Sequence, residues 1–155
     1  HRHDEYGVAQ NSFRQERGFI VIKLIIGLKG TGKTKTLISM VNSAIDTSSG
    51  SVICLEKGDK LRFDIKYQAR LIDVAEYGVD DAQALYGFIA GIYSSNSDIT
   101  HIFIDSASKM CGQDMDAFAA FVREVAAFAE KWNIDIVMTS SVTEDMLADD
   151  IKQYI

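Results

Sequence analysis

The sequence predicts an α/β domain, with three α-β-α layers built around a mainly parallel central sheet of about five strands. Two observations predict it. Apolar, β-branched runs alternate with segments of helical period from residue 19 to the end. No repeat, low-complexity tract or internal linker interrupts that alternation, and 155 residues suffice for about one domain with a sizeable core. Alternating strand and helix implies parallel pairing with both sheet faces covered.

In order, the strand runs are "FIVIKLII", "SVICL", "ARLIDV", "HIFID" and "IDIVMTS". Helical patterns lie between them at about 33–46, 80–94 and 113–132, with a short one near 143–150. The longest places Met115, Phe118, Val122, Val125, Phe128, Ala129 and Trp132 on one face, a stripe that reads as packing against the sheet. Residues 57–70, "KGDKLRFDIKYQAR", break the rhythm. Their "LRFDI" reads as a charged extra edge strand or hairpin arm. The alternative is a partner-binding patch, since Lys57, Lys60, Arg62, Lys66 and Arg70 outnumber Asp59 and Asp64. Residues 1–18 are polar and lack periodicity; they read as a tail or tag remnant preceding a domain of residues 19–155.

Composition narrows the function. A net charge of −6 argues against a broad nucleic-acid or anionic-membrane footprint. No apolar run approaches the length of about 20 residues that spans a bilayer, and the polar start lacks a signal-peptide core. Cys54 and Cys111 make neither a disulfide framework nor a metal site. The expected compartment is the cytoplasm.

The chemistry concentrates in "LIIGLKGTGKTKTLI", residues 24–38. Gly27, Gly32, Lys33 and Thr34 fit G-x-x-x-x-G-K-[ST], the Walker A or P-loop pattern, between a strand and a helix as that pattern requires. Its glycines let successive N–H groups turn inward on phosphate, and the following helix aims its positive end at the same anion. The predicted phosphate cradle is Gly27, Lys29, Gly30, Thr31, Gly32, Lys33, Thr34 and Lys35. Lys33 is expected to reach the β- and γ-phosphates, and the Thr34 hydroxyl to ligate Mg²⁺. The alternative is a glycine-rich turn capping a helix.

Downstream, "HIFID" places Asp105 at a strand end, a Walker B pattern in which the carboxylate would face magnesium opposite Thr34. Its other reading is a helix cap. Many ATPases follow that aspartate with a water-activating glutamate; here the next residue is Ser106. Glu56, closing "SVICLE", is the visible alternative base, with a surface glutamate opening a loop as the plain reading.

This layout resembles the RecA-like branch of P-loop NTPases, through "GLKGTGKT", "VICLE" and "HIFIDS" over residues 19 to about 142. The resemblance implies that Glu56 is the catalytic base. It also implies that the end of "IVMTSS" (Thr139, Ser140 and Ser141, with Ser140 taken as the site residue) senses the γ-phosphate. The chain is also similar to small stand-alone bacterial ATP-binding proteins labelled by remote similarity to twitching-motility ATPases. Their motor function is not carried over, because the histidine- and aspartate-rich boxes of the motors have no counterpart here. The functional expectation is an ATP- and Mg²⁺-dependent slow ATPase. A nucleotide-dependent switch with little hydrolysis is the first alternative and a small-molecule or nucleotide kinase the second. The expected partner is a nucleoside triphosphate, with a protein or a second copy as a further candidate and neither membrane nor nucleic acid expected.

Overall fold

Runs rich in isoleucine, valine and leucine form five strands: β1 (Ile22–Ile26), β2 (Ser51–Glu56), β3 (Arg70–Asp73), β4 (Ile99–Ile104) and β5 (Asp135–Ser140). The computed structural model describes residues 22–155, so the expected tail and residues 19–21 lie outside the described residues. All pairings are parallel, in the spatial order β1-β5-β4-β2-β3. The helices are α1 (Lys33–Thr47), α2 (Ala82–Ser95), the single turn α3 (Ala107–Met110) and α4 (Met115–Trp132).

Side chains alternate across each strand, so the sheet divides the interior in two. On one face Leu37, Val41 and Ala44 of α1 pack on Val52, Cys54, Phe103 and Val137. On the other, Leu85 and Ile89 of α2 and Phe118, Val122 and Val125 of α4 pack on Ile53, Leu55, Ile102, Ile104, Ile136 and Met138. The expected stripe on α4 is present, with Phe121 added to it and Trp132 half out at its end. Asp114 caps α4 by accepting the Asp116 and Ala117 N–H groups. The sequence prediction of an α/β fold with a five-stranded parallel sheet is met. Among the described residues no helix is long and apolar enough to cross a membrane.

Two sequence expectations need correction. "LRFDI" is not a strand: residues 57–69 form a chain of turns, and β3 takes the edge beside β2. Leu61, Ile65 and Ala69 are buried against α1, while Phe63 and Tyr67 face solvent. In sequence Leu61, Phe63 and Ile65 alternate with Arg62 and Asp64 as in a strand, but burial falls on every fourth residue, which no strand gives. The backbone polar groups go elsewhere: the Asn42 side chain donates to the Asp64 carbonyl (3.0 Å) and accepts the Lys66 N–H (3.0 Å). Nor is 143–150 an α-helix. Short 3₁₀ turns at Glu144–Met146 and Lys152–Tyr154 suffice to bury Leu147 and Ile151, and two anchors give a longer helix no apolar face.

The opposite, N-terminal edge of the sheet contains a close backbone crossing. The Ser51 N–H donates to the Asp98 carbonyl (2.9 Å), and a Cβ on Gly50 would lie 2.0 Å from that same oxygen. Gly50→Ala therefore forces two backbone segments apart. We expect it to lower stability by about 1–3 kcal/mol or more. Urea denaturation measures this, and an unchanged midpoint would refute the tight crossing.

Candidate functional site

Parallel register decides which residues meet. Leu55 of β2 lies level with Ile104 of β4, and Ile104 with Met138 of β5. The next residues along, Glu56, Asp105 and Thr139, therefore reach the C-terminal edge together, on the face covered by α1. This is where open α/β sheets bind ligands.

The glycine-rich loop between β1 and α1 closes on itself. The Leu28 carbonyl accepts both the Thr31 hydroxyl (2.7 Å) and the Lys33 Nζ (2.9 Å). Gly27, at φ +151°, donates its N–H to the Val142 carbonyl (3.1 Å), and a Cβ there would press within 2.7 Å of the Thr31 oxygen. Gly32, at φ +86°, precedes the helix and offers no side-chain cap, so the first-turn N–H groups of α1 remain uncapped by it. Lys29, Gly30, Thr31, Gly32 and Lys35 are exposed; Lys33 and Thr34 are half-buried. The cationic side chains thus lie around a positive helix end.

Thr34 links this loop to the sheet. Its hydroxyl donates to Asp105 Oδ1 (3.1 Å), and the Thr139 hydroxyl donates to the same oxygen (2.9 Å). Thr139 Oγ1 also accepts the Ser106 N–H (2.8 Å), holding Ser106 at φ +60°, a conformation uncommon for a residue with a Cβ. Asp105 itself donates its N–H to the Leu55 carbonyl (2.9 Å). The structure thus brings Lys33, Thr34 and Asp105 to one corner. It places Ser140 elsewhere: fully buried, its hydroxyl donates to the Thr139 carbonyl (2.7 Å) and accepts the Ser108 N–H (3.2 Å), anchoring α3. Of the three sensor candidates Thr139, Ser140 and Ser141, it is Thr139, not the chosen Ser140, that reaches Asp105. The parity of β5 identifies it, because Thr139 follows Val137 onto the α1 face whereas Ser140 follows Met138 onto the other.

Glu56 is not the surface glutamate of the plain reading. It is 3% exposed, and its carboxylate accepts the Leu61 N–H (3.2 and 3.4 Å to its two oxygens). Burial pushes its pKa up; backbone N–H groups of Leu61 and Lys60 oppose the rise, and the Asp105 and Asp73 charges add to it. Asp73, the partner of Glu56 in the β2–β3 register, accepts the Gly58 and Ala75 N–H groups (2.8 and 3.0 Å). Cys54 lies one step inward on the same face, and burial with the Asp105 and Glu56 charges lifts its thiol to about 12, which leaves it unreactive.

Among the described residues no group of three or more His, Cys, Asp or Glu side chains forms a metal cage. Thr34 and Asp105 supply one hydroxyl and one carboxylate oxygen side by side. That donor set suits Mg²⁺, which takes one or two carboxylates and completes its shell with water and substrate phosphate. No protein-family model matches the chain, and no curated protein matches it.

The Thr139 hydroxyl makes two bonds that valine cannot. Thr139→Val should destabilise the fold by about 1–3 kcal/mol, since it leaves the Ser106 N–H without its acceptor, whereas Thr139→Ser should lose less than half of that. Comparison of the two urea midpoints checks this; a valine variant as stable as the parent would show that the turn at Ser106 is held by other contacts.

Proposed function

We propose that this chain is a Mg²⁺-dependent, ATP-binding P-loop NTPase of the RecA-like kind, acting as a slow ATPase. The observation that carries the proposal is the 3.1 Å contact between Thr34, at the head of α1, and Asp105, at the end of β4, beside a glycine-rich loop spanned by Lys33. A hydroxyl and a carboxylate from distant parts of the chain meet where phosphate-bound magnesium would need them.

In this reading the loop N–H groups from Gly27 to Thr34 cradle phosphate oxygens. Lys33 exchanges its bond to the Leu28 carbonyl for one to phosphate. Thr34 and Asp105 would hold Mg²⁺, whose chemical contribution is to offset phosphate charge. Thr139 fixes the carboxylate that faces it. Glu56 orients a water molecule and takes its proton as the water oxygen bonds to the γ-phosphorus and the bond to ADP breaks. Its raised pKa brings it closer to neutrality and makes it a stronger base than an ordinary glutamate. ATP over GTP rests on fold-level analogy, and a cytoplasmic setting goes with it.

A second reading, a nucleotide-dependent switch with little hydrolysis, is favoured by one specific contact: the Glu56 carboxylate is already engaged by the Leu61 N–H. The kinase reading gains no support. Of the arginines beyond the first 18 residues, Arg62 pairs with Asp59 and Arg123 with Asp150, so they do not form a phosphate lid.

Calorimetry with ATP, with and without Mg²⁺, tests the binding site. Lys33→Ala should weaken ATP binding at least about tenfold, from loss of a charge-assisted hydrogen bond. Its thermal stability without nucleotide should change little, because the contact given up is the bond from Lys33 to the Leu28 carbonyl in an exposed loop. Asp105→Asn should weaken binding in Mg²⁺ and have little effect in EDTA. Unchanged ATP affinity in folded Lys33→Ala would defeat the proposal.

Glu56→Gln separates enzyme from switch. It should retain ATP affinity and lose about 10²–10⁴ in turnover. The raised pKa also fixes a sign for stability. Ionised Glu56 is disfavoured in the fold above its raised pKa, and the penalty vanishes once pH falls below the ordinary glutamate value, where both states are protonated. Glu56→Gln should therefore melt higher than the parent at pH 7, and the two should converge in mild acid. Parental turnover in the variant would remove Glu56 from the mechanism; an inactive parent would leave the switch.

A further inference from the structure

Helix α2 reads AQALYGFIAGIYSS and carries two glycines, Gly87 and Gly91, in its interior. Each destabilises a helix by about 1 kcal/mol relative to alanine. Close packing does not require them. A Cβ built at either position meets no heavy atom within 4 Å, in contrast to Gly50. Both glycines instead line a cleft of about 510 Å³ between α2 and the neighbouring parts of β2, β3 and β4. Gly87 and Gly91 thus widen a space that alanine would narrow.

The cleft has a defined chemical layout. Its lining is mixed, with Ile53, Ile72, Phe88 and Ile92 apolar and Gln68 and Asn96 polar, and the Tyr77 ring lies 5.6 Å from the Phe88 ring. Arg70 borders it at the start of β3. Arg70 is exposed and, unlike Arg62 and Arg123, makes no ion pair among the described residues. The volume lies inside the range of about 300–1,000 Å³ typical of small-molecule sites. The cleft lies on the α2 face and mostly toward the N-terminal ends of the strands, whereas Glu56 and Asp105 lie at the C-terminal edge on the α1 face, so it is separate from the nucleotide site proposed above.

We infer that this cleft is a second binding site, for a small amphipathic anion. An apolar or aromatic body lies along the glycine face of α2, and a carboxylate or sulfonate pairs with the Arg70 guanidinium. The apolar part of the lining supplies affinity through surface removed from water, and the single cation at one end supplies orientation.

The test uses the full chain and two fluorescent probes of similar shape: anionic 8-anilino-1-naphthalenesulfonate and neutral N-phenyl-1-naphthylamine. Both should bind saturably, at one site per chain, and decanoate should displace them while ATP does not. Gly91→Leu should cut binding of both at least about tenfold by filling the cleft; leucine also favours the helix, so the variant keeps its fold. Arg70→Gln should weaken the anionic probe about tenfold, as loss of a charge-assisted hydrogen bond predicts, and leave the neutral probe within about twofold. The milder pair Gly87→Ala with Gly91→Ala should show an intermediate loss, and circular dichroism verifies folding in each case. Binding unaltered by Gly91→Leu, displacement by ATP, or equal losses for both probes in Arg70→Gln would overturn the inference.

Discussion

The register of the parallel sheet is the constraint on which the candidate site depends. Leu55, Ile104 and Met138 are level across three neighbouring strands, so the residues that follow them emerge together. A slip of one residue in β4 would turn Asp105 to the face occupied by α2 and α4, and bring a core isoleucine into its place. The register is held because every position of β5, and nearly every one of β2, is buried on one face or the other. Packing thus fixes the site chemistry, and Thr34 docks onto it only because Leu37 and Val41 seat α1 on the same face.

Within that frame, polar groups at the strand ends do more than one task. Asp105 Oδ1 is shared by two hydroxyls, and Thr139 Oγ1 both gives and receives. Such shared bonds make the corner rigid, because no rotor turns without breaking a second contact. Glu56 belongs to a softer arrangement. Its carboxylate is tied to the backbone of a turn-rich segment that also depends on Asn42 and Asp73. The two carboxylates therefore differ in kind: one is set by the sheet, the other by the loop that follows it.

Much of this was legible in the sequence, for physical reasons. The α/β class and the three main helices followed from periodicity, which reports burial directly. Gly27, Gly32, Lys33 and Thr34 stood out because glycine and lysine have no place in a core run, and Asp105 because it ends one. What the sequence left undecided depended on geometry across strands. Thr139 and Ser140 are adjacent and chemically alike, and only the facing of β5 separates them. Residues 57–69 imitate a strand because Leu61, Phe63 and Ile65 alternate, yet β3 already occupies the available edge. The burial of Glu56 was equally hidden, since it arises from a loop folding back over a strand end. Gly87 and Gly91 carried no signal until the space beside them was visible.

The sheet order has a consequence for how the molecule comes into being. Among the described residues β1, the strand that launches the glycine-rich loop, pairs only with β5, more than a hundred residues later in sequence. During synthesis β1 has no partner until β5 emerges, whereas β2, β3 and β4 join neighbours that are closer in sequence. Closing so long a loop is entropically demanding and delays that pairing relative to local contacts. The loop that holds Lys33 and Thr34 is thus among the last parts to be locked in place. A chain that has not yet reached β5 therefore lacks both a central buried strand and Thr139, and the corner at Asp105 matures only once β5 has been made.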